Sequence, residues 1–206
     1  MLKVDYVVSG MIETNCYFVY DEQTKKAIII DPGLDSKKVV NKIEELKLKP
    51  VLLINTHGHF DHITADDIIR EKYNIPLAIH KNDLPMLLDS HKNSSFILGL
   101  DTVIKEAEIL FDKEETKECE LCKYSIINTP GHSIGSVCIL IDNFLFSGDT
   151  LFCGSIGRTD LPTGNQKEIE ISLKKLKTLD QNIIVYPGHG PITTIKQELL
   201  HNPYLS

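Results

Sequence analysis

Three segments of this chain repeat one design, and the repeat restricts what it can fold into. Val51-Leu52-Leu53-Ile54-Asn55-Thr56-His57-Gly58-His59 matches Tyr124-Ser125-Ile126-Ile127-Asn128-Thr129-Pro130-Gly131-His132, and Asn182-Ile183-Ile184-Val185-Tyr186-Pro187-Gly188-His189 follows the same plan less closely. Each is a short apolar run, strand-sized rather than helix-sized, that enters a glycine-containing turn and delivers a histidine. Glycine permits a strained turn, or a close approach of backbone to whatever the histidine holds. Three strand ends presenting imidazoles predict a shared rim, where sheet proteins often place their sites.

Strands and helices alternate around these segments. Residues 4–8, 16–20 and 27–30 read as strands, the last ending in the turn Asp31-Pro32-Gly33. Asp35 or Ser36 caps a helix carrying Val39, Val40, Ile43 and Leu46 at helical spacing, and Pro50 ends it. Thr64 with Asp67 resembles a capping box that opens a second helix, and residues 77–79 return to strand after Pro76. A helical stretch and loops follow. In the second half, residues 119–127, 137–141, 144–146 and 183–186 read as strands, with helices over 166–179 and 193–201. Hairpin-like pairs in both halves predict an α+β fold of two mixed sheets with helices on the outer faces. No low-complexity linker divides the 206 residues, so 1–206 is expected to form a single domain. A chain of that length can bury about 70% of its unfolded surface.

Charge and composition narrow the partners. A net charge of −7 argues against a nucleic-acid binder that works through a basic surface. No apolar run approaches the roughly 20 residues of a membrane span. The first ten residues lack the basic and apolar regions of a secretory signal. Five cysteines, Cys16, Cys119, Cys122, Cys138 and Cys153, are an odd number, and several sit in apolar runs where a thiol behaves as a small hydrophobe. Cys119 and Cys122 read as strand residues, with a redox pair or half a zinc site as the alternative. A reduced, cytoplasmic protein is expected, with a small-molecule partner, no nucleic acid and no membrane; a homo-oligomer is allowed.

Five of the eight histidines fall into ordered motifs. His57-Gly58-His59-Phe60-Asp61-His62 packs three imidazoles and a carboxylate into six residues. In an extended segment His57 and His59 point the same way and can grip one ion. Asp61 and His62, past a bend, can address a second. His132 and His189 supply one further ligand each, and Asp149 can bridge both ions with its two oxygens. One set is then His57, His59, His132 and Asp149; the other is Asp61, His62, His189 and Asp149. Imidazole and carboxylate ligands suit zinc, iron or manganese, so two divalent metal ions are expected, zinc first. Asp31 is either a partner that orients a ligand histidine or a plain turn residue. His80, His91 and His201 read as ordinary histidines.

The series His-x-His-x-Asp-His, Pro-Gly-His-Ser, Ser-Gly-Asp-Thr and Pro-Gly-His-Gly resembles the metallo-β-lactamase superfamily across nearly the whole chain. The resemblance implies an αββα sandwich of two similar halves. Within that family, Leu151-Phe152-Cys153-Gly154-Ser155-Ile156-Gly157-Arg158-Thr159-Asp160 resembles the glyoxalase II and persulfide dioxygenase branch. Gly190-Pro191-Ile192-Thr193-Thr194-Ile195, with Asn202-Pro203-Tyr204, is similar to short hydroxyacylglutathione hydrolase-like proteins.

A metal pair roughly 3.5–4 Å apart would lower the pKa of a bridging water to about 7 and polarise a substrate carbonyl. Thioester hydrolysis is the first expectation, because a thiolate leaves without a strong general acid. S-D-lactoylglutathione or a related acyl-thiol would be the substrate, cleaved by a metal-bridged hydroxide that Asp61 orients. Arg158 falls where the glyoxalase II branch carries a cationic glutathione contact; a surface pair with Asp160 is the alternative. Tyr186 and Thr150 are further candidates for the pocket wall. Full-length glyoxalase II enzymes add a helical domain that clasps glutathione, and its absence after His189 is expected to weaken glutathione specificity. An iron-dependent persulfide dioxygenase is the alternative function, and a non-enzymatic metal-binding protein the second. A β-lactamase is disfavoured, because His62 follows Asp61 and Asp149 stands where a cysteine ligand would be expected.

Overall fold

Each half of the chain builds one six-stranded sheet. The computed structural model describes residues 1–205. The first half contributes β1 (Leu2–Ser9), β2 (Thr14–Asp21), β3 (Lys26–Ile30), α1 (Ser36–Glu45), β4 (Lys49–Ile54), α2 (Phe60–Ile63), α3 (Asp66–Tyr73), β5 (Leu77–His80), α4 (Leu84–Leu87) and β6 (Ile109–Phe111). The second contributes β7 (Glu115–Glu118), β8 (Lys123–Asn128), β9 (Val137–Ile141), β10 (Phe144–Gly148), β11 (Leu151–Phe152), β12 (Ser155–Ile156), α5 (Gln166–Leu176), β13 (Ile184–Pro187), β14 (Thr193–Thr194) and α6 (Ile195–His201). The first sheet runs in the order β1-β2-β3-β4-β5-β6 and the second β14-β13-β10-β9-β8-β7. Both are mixed: β3, β4, β5 and β6 pair in parallel and β1, β2 and β3 antiparallel, while in the second sheet only β10 and β13 are parallel.

Three apolar layers hold the sandwich together. Between the sheets, Val19, Ile28, Ile30 and Ile54 meet Ile126, Ile139, Phe146 and Tyr186. Outside the first sheet, Val39, Ile43 and Ile69 cover Phe18, Ile29 and Leu53. Outside the second, Ile169, Leu173 and Leu176 of α5 and Ile195 of α6 cover Leu145 and Val185. Alternate residues of a strand face opposite sides, so Ile28 and Ile30 point inward while Ile29 points to the helices. The αββα sandwich and the two mixed sheets expected from the sequence are therefore the observed fold.

Several local expectations need correction. Helix α1 is capped by Asp35, which accepts from the Lys38 amide, but it ends at Glu45 well before Pro50. Pro50 lies inside β4 at a register shift, where Ala27 pairs with Pro50 and Ile28 with Leu52. A residue without an N–H is tolerated in a strand at such an irregularity. Thr64 forms no capping box: it closes α2 by donating its hydroxyl to the Phe60 carbonyl, and Ala65 precedes α3. Cys119 and Cys122 are not strand interior. They are the ends of the hairpin turn between β7 and β8, with the Cys119 amide donating to the Cys122 carbonyl, and all five cysteines are free. Turn chemistry decided this, because the alternating pattern of 119–127 continues through a hairpin without a break.

Candidate metal centre

The C-terminal ends of β3, β4, β8, β10 and β13 converge on one rim. Beyond β4 the chain stays extended at His59 and then turns into α2, so His57 and His59 leave the strand end while Asp61 and His62 sit on the helix. His132 follows β8, Asp149 follows β10, and His189 follows β13. One nitrogen or oxygen from each of His57, His59 and His132 lies within 4.8 Å of the others; so do those of His57, His62 and Asp149, and of Asp61, His62 and His189. All seven candidate ligands are brought together.

Asp149 stands between the two groups. Its Oδ1 lies 3.4 Å from His62 Nε2, while its Oδ2 lies 3.5 Å from His132 Nε2 and 3.5 Å from His189 Nε2. His59 Nδ1 is 2.8 Å from His132 Nε2, and His62 Nε2 is 3.3 Å from His189 Nε2. Asp61 Oδ2 sits 3.2 Å from His189 Nε2 and accepts a hydrogen bond of 3.0 Å from the Thr14 hydroxyl. His57 Nε2 is buried without a hydrogen-bond partner among the described residues. A buried polar atom left unpaired is costly, and an imidazole lone pair facing further imidazoles and a carboxylate is what a divalent cation satisfies. The residues present fit metal ions, and a His/Asp cluster suited to divalent metals is the chemical content of this site.

Outer partners fix the rings. Asp31 is buried, and its Oδ2 lies 3.0 Å from His62 Nδ1. The same carboxylate accepts from the amide and hydroxyl of Thr56, and that hydroxyl lies 3.1 Å from His57 Nδ1. Asp31 thus orients a ligand histidine as well as closing a turn. The ring of His132 is held by the Arg158 carbonyl at 2.8 Å and that of His189 by the Ile12 carbonyl at 3.1 Å. Asp83, which the sequence did not single out, accepts from the amides of Gly58 and Gly135 and the hydroxyl of Ser133. It ties the His57–His59 turn to the His132 turn, reaching Gly58 25 residues before it and Ser133 50 residues after it. Neither Asp83 nor Thr14 belongs to a motif, and no local pattern could have shown their role.

The turn glycines solve different problems. Gly131 has φ +140° and lies against α5, where a Cβ would come within 2.3 Å of the Ile169 amide nitrogen. At Gly188 the close approach is to the site itself: a Cβ would lie 2.1 Å from Asp149 Oδ1 and 2.8 Å from His62 Cε1.

Electrostatics divide the cluster. Burial pushes His57 well below the usual histidine range and His59 down to about 3, with the neighbouring imidazoles adding to both shifts. Burial acts the same way on His62, but Asp61, Asp149 and Asp31 outweigh it and hold that imidazole well above its ordinary value. His189 is raised as well, burial being outweighed by its hydrogen bond to Asp61 and the charge of Asp149. Burial would raise the Asp61 carboxyl, yet His62 and His189 bring it down to about 2.

A cavity of about 580 Å³ opens above His59, Asp61, His132, Asp149 and His189. Arg158 lines it, but its guanidinium is engaged by Asp160 in two hydrogen bonds of 2.6 and 2.7 Å. Two proposed pocket residues are corrected. Tyr186 points between the sheets, stacked on Phe146 at 5.1 Å and edge-on to Tyr17, because strand alternation turns its ring inward before the Pro187-Gly188 turn. Thr150 is buried and its hydroxyl lies 2.9 Å from that of Thr129, away from the cavity.

The sequence profile of the Metallo-beta-lactamase superfamily matches residues 10–189. The chain belongs to this superfamily. It is 38% identical to the probable metallo-hydrolase YqgX of Bacillus subtilis, over 96% of this chain and 94% of that one. It is 32% identical to the hydroxyacylglutathione hydrolase GloC of Haemophilus influenzae, over 100% and 99% of the two chains. Among solved structures, the BLEG-1 B3 metallo-beta-lactamase superposes with a TM-score of 0.95 at 38% identity, covering 99% of this chain and all of the other. TTHA1623 in a di-iron-bound form follows at a TM-score of 0.85 and 33% identity, covering 98% and 100%.

Proposed function

We propose that this chain is a binuclear metallohydrolase that cleaves acyl thioesters of small thiols. The observation that carries the reading is the position of Asp149, whose two oxygens face His62, His132 and His189. His57, His59 and His132 would hold one ion, and Asp61, His62 and His189 the other, with Asp149 shared; zinc is the first choice and iron or manganese fit the same donors. Bound divalent ions supply an acidified water and a Lewis acid for the carbonyl. Asp61, ionised and fixed by the Thr14 hydroxyl, accepts a hydrogen bond from the attacking water and orients it toward the cavity. The leaving thiolate needs no protonation, which suits a cavity floor made of ligand side chains. The relative named a hydroxyacylglutathione hydrolase supports the thioester class.

β-Lactam hydrolysis is the second reading, because the BLEG-1 structure superposes over the whole chain. One preparation tests both. Metal content, hydrolysis of S-D-lactoylglutathione and simpler thioesters, hydrolysis of a chromogenic β-lactam, and oxygen uptake with glutathione persulfide are measured on the same protein. Two metal equivalents with thioester turnover are expected. Oxygen consumption with one iron per chain would replace the hydrolase by the dioxygenase. Turnover lost in Asp61→Ala with the fold intact supports the water-orienting role, and unchanged turnover removes it.

A further inference from the structure

The cavity wall above the metal centre is apolar on several sides, and its parts come from segments far apart in the chain. Ile12 stands in the turn between β1 and β2, Ile97 and Leu98 in the short 3-10 turn over residues 95–98, Phe152 and Ile156 on the β11–β12 hairpin, and Leu161 beyond it. Ile97 and Leu98 are 57% and 47% exposed, although they flank a site whose floor is entirely polar. Surface loops that each offer a large aliphatic side chain to one concavity mark a ligand surface rather than chance exposure.

Charge argues in the same direction. Glutathione-type thiols bring free carboxylates, which call for cationic partners. Among the described residues lining the cavity, the one Lys or Arg is Arg158, and both of its hydrogen-bonding edges that face Asp160 are filled by that carboxylate. An aliphatic chain requires no such partner and gains from covering Ile97, Leu98 and Phe152. Thiol carriers are themselves polar, so the acyl group is the part of a thioester that gains from an apolar wall.

We infer that the preferred substrates are thioesters of aliphatic acyl groups, with the acyl chain lying on the wall formed by Ile97, Leu98, Phe152 and Ile156. The inference rests on the thioesterase reading for the reaction, but not for the binding surface. In the step itself water adds its oxygen to the acyl carbon, the carbon–sulfur bond breaks and the sulfur leaves with that electron pair as a thiolate. Of the two protons of the water one ends on the sulfur in solution and the other is released, so the products are a carboxylate, a thiol and a proton.

The test uses metal-loaded protein and acetyl, butanoyl, hexanoyl and octanoyl thioesters of N-acetylcysteamine. Burial of each methylene is worth roughly three- to fourfold, so kcat/KM is expected to climb by about that factor per carbon until the chain passes the cavity mouth. Calorimetric binding of the matching carboxylates is measured in parallel, and their Kd is expected to tighten over the same series. Leu98→Ser, a change at a half-exposed position, is expected to flatten both slopes, so that the octanoyl-to-acetyl ratio falls. A kcat/KM that is level or falls with chain length overturns the inference, as does a carboxylate affinity that ignores length. If no thioester is cleaved while the carboxylate series still tightens, the apolar acyl surface stands and the thioesterase reading falls.

Discussion

The two halves of the metal centre share Asp149 and lie within one small cluster, yet they are prepared in opposite ways. Around His57, His59 and His132 the protein supplies imidazoles and burial. Burial, aided by the neighbouring imidazoles, keeps His57 and His59 neutral, with lone pairs ready to ligate. Around His62 and His189 it supplies carboxylates: Asp61 and Asp149 favour the protonated form of both rings, and Asp31 adds to this at His62. The outer partners do not follow this division: a buried aspartate steers His62, whereas backbone carbonyls steer His132 in one half and His189 in the other. The comparison teaches that one half is ready by desolvation and the other by charge, so acid and mutation should separate them.

Removing the metals altogether has the largest effect. Chelation is expected to abolish hydrolysis. A ligand present at about 1,000 times its Kd adds about 4 kcal/mol of stability, which for a domain of this size is on the order of 10 °C in Tm. A scan with and without chelator reads it, and an unchanged Tm would deny that metal completes this cluster. Next comes Asp31→Ala. Loss of an outer partner costs roughly 10–100-fold in metal affinity, and here the loss should fall hardest on the Asp61/His62/His189 half, because Asp31 touches His62 directly and reaches His57 only through Thr56. Metal analysis after dialysis should approach one equivalent, with the His57/His59/His132 half still loaded. Equal loss from both halves would break the distinction.

Proton linkage gives a smaller and sharper reading. His62 and His189 are raised above the ordinary histidine value, so they hold more proton near neutral pH than a free imidazole does and must release it to ligate. Titration of apoprotein with metal in buffers of different ionisation enthalpy should therefore show release of about one to two protons. Affinity of that half should rise with pH until the raised values are passed. His57 and His59 should stay available as ligands well below neutral pH, because burial holds His57 well down and His59 at about 3. The smallest effect belongs to Arg158→Ala. An exposed pair contributes little, and kcat/KM for thioesters should change by less than roughly fivefold. A larger loss with lactoylglutathione alone would return Arg158 to a role in binding glutathione.

Much of the centre was legible because its ligands come in short motifs. His-x-His-x-Asp-His needs only local geometry to present two groups on either side of a bend, and the repeated strand-turn-histidine plan placed His132 and His189 on the same rim. Elements with strong apolar periodicity, such as α1 and α5, were also readable. Turns were less so. Pro50 sits in a strand because a register shift accommodates it, and Cys119 and Cys122 bracket a hairpin that their alternation alone did not reveal. Tyr186 was misjudged because proximity in sequence to His189 says nothing about which side of the sheet its ring takes.

What the sequence determined by itself is the set of candidate ligands and the two sheets with helices outside, since both depend on local periodicity and on residue types with few alternative uses. The tertiary structure alone decided the rest. It brought Asp31 against His62, hung Asp83 between two turns, and gathered Ile12, Leu98 and Phe152 into one wall. These contacts join residues 25 or more positions apart, or turn a surface loop toward a cavity. They arise when two sheets pack and bring their strand ends together, and no periodicity within a single element encodes that.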